Sequence, residues 1–316
     1  MTNTISTYTL KVQNAGRLDE FLRKELPVLL HAEISNSKIR RLIVAGAVKI
    51  NGLQEHRPFA NLQKDFTVKL TVDSEKLFFE KQPEDIKFEL TEKNVLYEDE
   101  FIIVVNKPAF FPTEQTIVAS RDNLHNAIIR YLHKKNPQLR NPPYAGIMHR
   151  LDRETSGVIL FTKTRTVNAA CHIMFEHHTA QKIYRAVVAP EFPVKEGSTF
   201  SVEFTMGRIS GKSQAAKWGN VPASKGGLPS KTEFKILSKT KSGKYYFVQC
   251  SLFTGRTHQI RVHLASRKMP LLGDKLYGGK SFSRIMLHAE SLTFPHPVTN
   301  NIITVTAPLP EEFLHC

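Results

Sequence analysis

The sequence is poor in cysteine, in acid and in long apolar runs, and each shortage narrows what the chain can be. Cys171, Cys250 and Cys316 are isolated, none belongs to a C-x-x-C pair, and an odd number cannot all pair within one chain. Reduced thiols fit this pattern best. No stretch approaches the roughly 18 consecutive apolar residues of a spanning helix. The start, MTNTISTYTLKVQNAG, lacks both the basic and the apolar segment of a secretory leader. A cytoplasmic protein with no membrane partner is expected. There is no G-x-G-x-x-G run, no P-loop and no internal repeat, so a nucleotide cofactor is not indicated. Against 44 Lys and Arg stand only 29 Asp and Glu, a formal charge of +15. That excess favours a polyanionic partner through counterion release and steering, without naming the polyanion.

What is present is the material of a globular protein. Hydrophobic residues make up 41% and charged residues 23% of 316 residues, about twice a usual single-domain length, so two domains are expected. Leu18, Phe21, Leu22 and Leu26 line one face of a helix over residues 17–30. A second helix runs from Ser37 to Val44, capped by Ser35 or Asn36 and ended by Gly46. Alternation in Ala47–Ile50 before an Asn51-Gly52 turn, and again in Phe66, Val68 and Leu70, predicts strands that close a compact unit near residue 72. The boundaries are an N-terminal extension 1–14, a small α+β domain 15–72, a linker 73–94 and a second domain 95–316.

In that second domain strands are predicted at Phe101–Val105, Val158–Phe161, Ile183–Val188, Lys231–Leu237 and Tyr245–Leu252. Helices are marked by Leu124, Ala127, Ile128, Tyr131 and Leu132, and by Val167, Cys171, Met174 and Phe175. Many strands with few helices point to an α+β fold and not to a repeating βαβ unit. Between Thr205 and Tyr245 nine Lys and Arg accompany one acid, Glu233, among Gly, Ser and Pro. This reads as a basic loop insertion, either solvated or in contact with phosphates.

The segment Gly146–Gly157 carries His149-Arg150-Leu151-Asp152 into the strand Val158–Phe161, which sets a carboxylate on a loop beside a rigid element. By residue type alone Asp152 reads as an ion pair with Arg150 or Arg153, or as an Asx turn, more readily than as a catalyst. Its company changes that weighing. The run H-R-L-D-R-E-T-S-G resembles the H-R-L-D-x-x-T-S-G signature of the RluA-type pseudouridine synthases. Lys182-Ile183-Tyr184 resembles that family's K-x-Y segment, and Gly255-Arg256-Thr257-His258-Gln259-Ile260-Arg261-Val262-His263 its G-R-T-H-Q-I-R-x-H segment. Pro270–Asp274 with Tyr277-Gly278, and Leu287-His288-Ala289 followed by His296-Pro297, continue the match in the same order. The first domain resembles the small RNA-binding domain named after ribosomal small-subunit protein S-four, through Arg17–Leu22, Ser37–Ile43 and Gly46–Gly52.

The resemblance implies an isomerase of uridine in structured RNA, with a mixed, largely antiparallel sheet in its catalytic domain. Large-subunit ribosomal RNA is the preferred substrate and transfer RNA the alternative; a monomer without cofactor is expected. The reaction breaks the N1–C1′ bond, turns the uracil and joins C5 to C1′, so no oxidation state changes and neither metal nor NAD nor ATP is required. Asp152 matches the catalytic carboxylate, acting as nucleophile at sugar or base, or as base on a sugar proton. Arg261 matches its paired arginine, and Tyr184 the aromatic face for a flipped uracil. Arg150, Lys182, Arg256 and His258 near the site, and Lys38, Arg40 and Arg41 in the first domain, are the expected RNA contacts. His149, His258 and His263 lack the acidic or thiol neighbours of a metal site and read as loop-shaping groups. Two other readings stay open, a non-catalytic RNA-binding protein and a glycosidase using Glu154 as second carboxylate. One departure stands out: where related enzymes have glycine and a small polar turn after N-K-P, this chain has Ala109-Phe110-Phe111.

Overall fold

The computed structural model describes residues 5–31, 34–73, 85–115, 121–210 and 216–316, and divides into two compact units, Met1–Pro83 and Glu84–Cys316. In the first unit β1 (Ile5–Lys11) and β2 (Gly16–Arg17) precede helices α1 (Leu18–Leu30) and α2 (Asn36–Val44). Strands β3 (Val48–Ile50), β4 (Leu53–Glu55), β5 (Asn61–Leu62) and β6 (Thr67–Asp73) follow. The main sheet runs β1-β6-β3-β4, all antiparallel. Leu18, Leu22 and Leu26 recur every four residues, so α1 buries one stripe with Ile39 and Ile43 of α2 and Val48, Val68 and Leu70 of the sheet. Ser35 caps α2 by accepting the Lys38 amide. Asn51 and Gly52, both at positive φ, make the two-residue turn between β3 and β4.

The expected extension 1–14 is corrected here. Strand β1 pairs with β6 along its whole length. Tyr8, Leu10 and Val12 alternate toward the core of the unit, so this segment belongs to the sheet.

The second unit begins with β7 (Val95–Glu98), β8 (Ile102–Lys107), α3 (Leu124–Lys135), β9 (Gly146–Ile147), β10 (Ser156–Thr162) and α4 (Asn168–Glu176). It continues with β11 (Gln181–Val188), β12 (Thr199–Arg208), β13 (Trp218–Asn220), β14 (Leu228–Lys239) and β15 (Tyr246–Leu252). Helix α5 (Gln259–Ser266), β16 (Leu287–Pro295) and β17 (Ile302–Thr306) complete it. One 11-stranded sheet has the order β13-β12-β14-β15-β11-β16-β10-β8-β7, with β17 on β16 and β9 on β10. Its pairs are antiparallel except β10 with β16, giving the mixed, largely antiparallel α+β architecture expected. Both faces at the centre are covered. Ile103, Val105, Ile159 and Phe161 pack with Ile128 of α3 and with Ile260 and Leu264 of α5. Ile102, Val104, Val158 and Leu160 pack with Cys171 and Met174 of α4. Burial on both faces explains why these strands are continuous apolar runs.

Two further expectations change. Of the 73–94 linker, Asp73 ends β6, and the described part from Asp85 belongs to the second unit: Leu90 is buried in its core, and Asp85 holds Arg121 and Arg153. The basic stretch 205–245 is not a single loop: about half of its described residues are in sheet, in the end of β12, in β13 and in β14. Its inward residues on β14 include Ser230 and Thr232 beside Phe234 and Ile236, so half of the buried face is polar and the alternation is muted.

Candidate active site

The loop from Met148 to Thr155, between β9 and β10, is held from three sides through its own carbonyls. Thr113 Oγ1 donates to the Leu151 carbonyl at 2.8 Å, Lys107 Nζ to that of Arg153 at 3.1 Å, and Arg284 Nη1 to that of Glu154 at 3.3 Å. Lys107 is fully buried and also donates to Pro108 and Phe111. Burial draws its pKa down to about 7, against the pull of Asp152. The N-K-P departure acquires a shape as well. Phe110 sits at φ 61°, the conformation glycine takes readily, with the Arg153 guanidinium 5.2 Å from its ring centre, and Phe111 is buried against Phe88. At the other end of the loop Gly157, at φ 114°, brings β10 so near β16 that a Cβ there would lie 2.1 Å from the Ala289 carbonyl oxygen.

This framing presents Asp152 to a cleft of about 960 Å³. The cleft brings together all three residues expected to be catalytic, Asp152, Tyr184 and Arg261, and four of the expected RNA contacts, Arg150, Lys182, Arg256 and His258. Asp152 Oδ2 accepts from Arg261 Nη1 at 3.3 Å, and His258 Nε2 lies 3.9 Å from the same oxygen. Arg261 is held more tightly from behind, by Asp274, through Nε at 2.7 Å and Nη2 at 2.9 Å. Burial alone would weaken its charge; the Asp274 hydrogen bonds and charge, with Asp152, outweigh that and raise its pKa. Tyr184 stands on β11 at a register shift against β16. Burial, with Asp152 nearby, pushes its phenol well up, so the ring is neutral. Lys182 is half-buried, and desolvation with Arg256 close by lowers its pKa to about 8.

The other expected residues are placed elsewhere or differently. Arg150, on the exposed rim, pairs with Glu114 at 2.5 Å. Arg40 is in an ion pair with the buried Asp19, shared with Arg17, and both guanidiniums lie over the Phe59 ring. Lys38 and Arg41 lie on α2 of the first unit, Arg41 exposed. Lys163 ties Glu98 and the Asp99 carbonyl. Glu154, the second carboxylate of the hydrolytic reading, does not line the cleft. His149 accepts the Leu160 amide, and His263 bonds Ser230. Among the described residues no cluster of three or more His, Cys, Asp or Glu could hold a metal.

Several residues of the site carry no expected role in the sequence. Asp274 and Tyr277 sit in the quoted Gly273-Asp274…Tyr277 run, and Gln259 in the arginine segment. Gln259 Oε1 accepts from Thr254 and from the Arg256 amide, which fixes the loop before α5. The acid of Asp274 directly after the run Met269–Gly273 was the available signal, whereas Gln259 and Tyr277 lie among polar residues and glycines.

The chain is similar to known proteins. Residues 101–266 match the model of the RNA pseudouridylate synthase family. The ribosomal large subunit pseudouridine synthase D of Neisseria meningitidis is 32% identical over 95% of this chain and 77% of its own length. An RNA pseudouridine synthase of Aquifex aeolicus is 30% identical over 94% of this chain and 91% of its own. Among solved structures, human RNA pseudouridylate synthase domain containing 4 shares the fold, with a TM-score of 0.56 and 21% identity over 71% of this chain and 91% of that one. The chain belongs to the RNA pseudouridylate synthase family and is, by that membership, an isomerase.

Proposed function

We propose that this protein isomerises chosen uridines in structured large-subunit ribosomal RNA, with transfer RNA as the alternative substrate, and that Asp152 is the carboxylate that starts the reaction. The observation that carries this is the placement of Asp152, Tyr184 and Arg261 around one cleft, with the carboxylate on the arginine at 3.3 Å. A carboxylate paired with an arginine in a cleft can open the glycosidic bond without cofactor. Arg261 balances its charge. Tyr184 offers a buried ring and a neutral hydroxyl, which compensates the stacking lost when a uracil leaves its helix. Lys182 and Arg256 supply positive charge within the cleft for the backbone of the flipped nucleotide. The first unit, proposed as an S-four-type RNA-binding domain, offers Lys38 and Arg41 to phosphates, while Arg40 serves the fold through Asp19. Localisation to the cytoplasm follows from the ribosomal substrate.

The test is release of tritium from RNA labelled at uracil C5. Wild-type protein should release label from large-subunit ribosomal RNA, and Asp152→Ala should lower the rate by about 10³-fold or more while still binding RNA. Unchanged release by Asp152→Ala would remove the carboxylate from the reaction. RNA binding with no release from any cellular RNA would leave an assembly factor, and free uracil among the products would mark hydrolysis.

A further inference from the structure

The segment that follows α5 carries two side chains that both act toward Asp152. Asp274 holds Arg261 from behind, and Tyr277 holds His258: the Tyr277 hydroxyl lies 3.0 Å from His258 Nδ1. Arg261 and His258 converge on one oxygen of Asp152, Oδ2. Among the described residues no hydrogen bond reaches the other, Oδ1. The His258 backbone is in the left-handed region, at φ 57°, immediately before α5. Non-glycine residues take this conformation uncommonly, histidine more readily than most.

The hydrogen count around Tyr277 is informative. Its oxygen accepts the Trp218 amide of β13 at 2.9 Å. The phenol has one proton to give, and Nδ1 of His258 is the acceptor within reach. In that arrangement Nε2 carries the imidazole proton and points it at the Asp152 carboxylate. The opposite tautomer would aim a bare lone pair at an anion.

We propose that Tyr277 and His258 are positioning residues: the Tyr277 hydroxyl, oriented by the Trp218 amide, fixes the Nε2–H tautomer of His258, which stands 3.9 Å from Oδ2 of Asp152 and closes to a hydrogen bond when the nucleotide is bound, joining Arg261 on that oxygen and leaving Oδ1 to face the nucleotide. His258, read from sequence as an RNA contact, takes a different task here. The inference rests on Asp152 being the catalytic carboxylate. Burial, with Arg261 alongside, lowers the pKa of His258 against the opposing pull of Asp152 and Asp274, which favours the neutral ring. The chain of contacts also connects strand β13, in the basic stretch, to the reacting group.

Tyr277→Phe keeps the ring, which lies 5.1 Å beneath the Arg261 guanidinium, and deletes only the hydroxyl. Single-turnover tritium release by Tyr277→Phe should slow about ten-fold, the weight of one hydrogen bond, with RNA affinity unchanged. His258→Gln, whose amide places a donor where Nε2 stands, should retain most of the rate, whereas His258→Asn should not. Combining Tyr277→Phe with His258→Gln should cost nothing beyond His258→Gln. In ¹⁵N spectra of the wild type, His258 Nδ1 should be the unprotonated nitrogen. A proton on Nδ1, a Tyr277→Phe rate within two-fold of wild type, or equal losses in His258→Gln and His258→Asn would each overturn the assignment. Since all arms presuppose an active wild type and an inactive Asp152→Ala, failure here is distinct from failure of Asp152 itself.

Discussion

Arg261 stands between two carboxylates and serves them unequally, with two hydrogen bonds to Asp274 and one longer bond to Asp152. The fork of a guanidinium makes this division natural, since three nitrogens share one plane. A lysine presents its donors from one nitrogen and cannot hold Asp274 at two points while also reaching Asp152. Arg261→Lys should therefore lower stability by about 2 kcal/mol through the half-satisfied, buried Asp274. It should also slow isomerisation by about 100-fold or more, with RNA affinity nearly unchanged; urea denaturation and single-turnover release measure the two effects separately. A wild-type rate in this variant would show that the bidentate hold on Asp274 does not matter to Asp152. Asp152 and Arg261 could be picked from the sequence because each sits in a run with a recognisable pattern. Asp274 could not be given a role, because its partner is 13 residues away across a turn. Lys107 was equally silent, since its partners are backbone carbonyls, which a sequence does not display.

At the level of elements, amphipathic helices and continuous apolar strands were the most legible. Helices α1, α3 and α4 and strands β8, β10, β11 and β15 fall on the predicted segments because burial imposes a period of 3.6 or a continuous run. Strand β1, whose outward positions are Thr7, Thr9 and Lys11, was missed, as were β12, where Phe200, Val202, Phe204 and Met206 alternate with polar residues, and the three-residue β13, while only the centre of β14, Lys231–Leu237, was predicted. Buried histidines are the other cross-element feature that sequence leaves open. His149 accepts from β10, His263 of α5 bonds Ser230 of β14, and His288 of β16 bonds Ser156 of β10. Burial lowers their pKa values to about 3, 4 and 4, below the ordinary 6.5. The unfolded chain thus binds protons that the folded one refuses: stability is full above pH 6.5 and is lost as the pH falls from there toward 4. His263 and His288, both without solvent exposure, should each cost about 1.4 kcal/mol per pH unit in that window. The urea midpoint of the second unit should fall steeply between pH 6.5 and 5. A midpoint that stayed level over that range would mean the histidines are charged in the fold.

The charge of +15 belongs to the whole molecule, and it was legible at once because it needs no geometry. What it says about RNA is correspondingly general. Phosphates are alike on every RNA, so lysines and arginines set how tightly and how salt-sensitively the chain binds, while the choice of uridine depends on shapes that no charge count contains. Lys182, Arg256 and Arg150 at the cleft and Arg41 on α2 make about four phosphate contacts in the proposed complex, which gives a slope of log K against log salt near −3. Affinity for a large-subunit RNA fragment should then fall by about 100-fold between 50 and 200 mM salt. Lys182→Ala or Arg41→Ala should each make that slope shallower by about 0.7 to 0.9, uniformly across RNA sequences. Once RNA is saturating, the release rate should not depend on salt, because Arg261, Asp274 and Asp152 form their ion pairs inside the cleft, where mobile ions screen weakly. Filter binding and single-turnover release at matched salt concentrations test both halves. A flat affinity would remove the phosphate contacts from the account, and a salt-dependent saturated rate would place the critical charges in solvent.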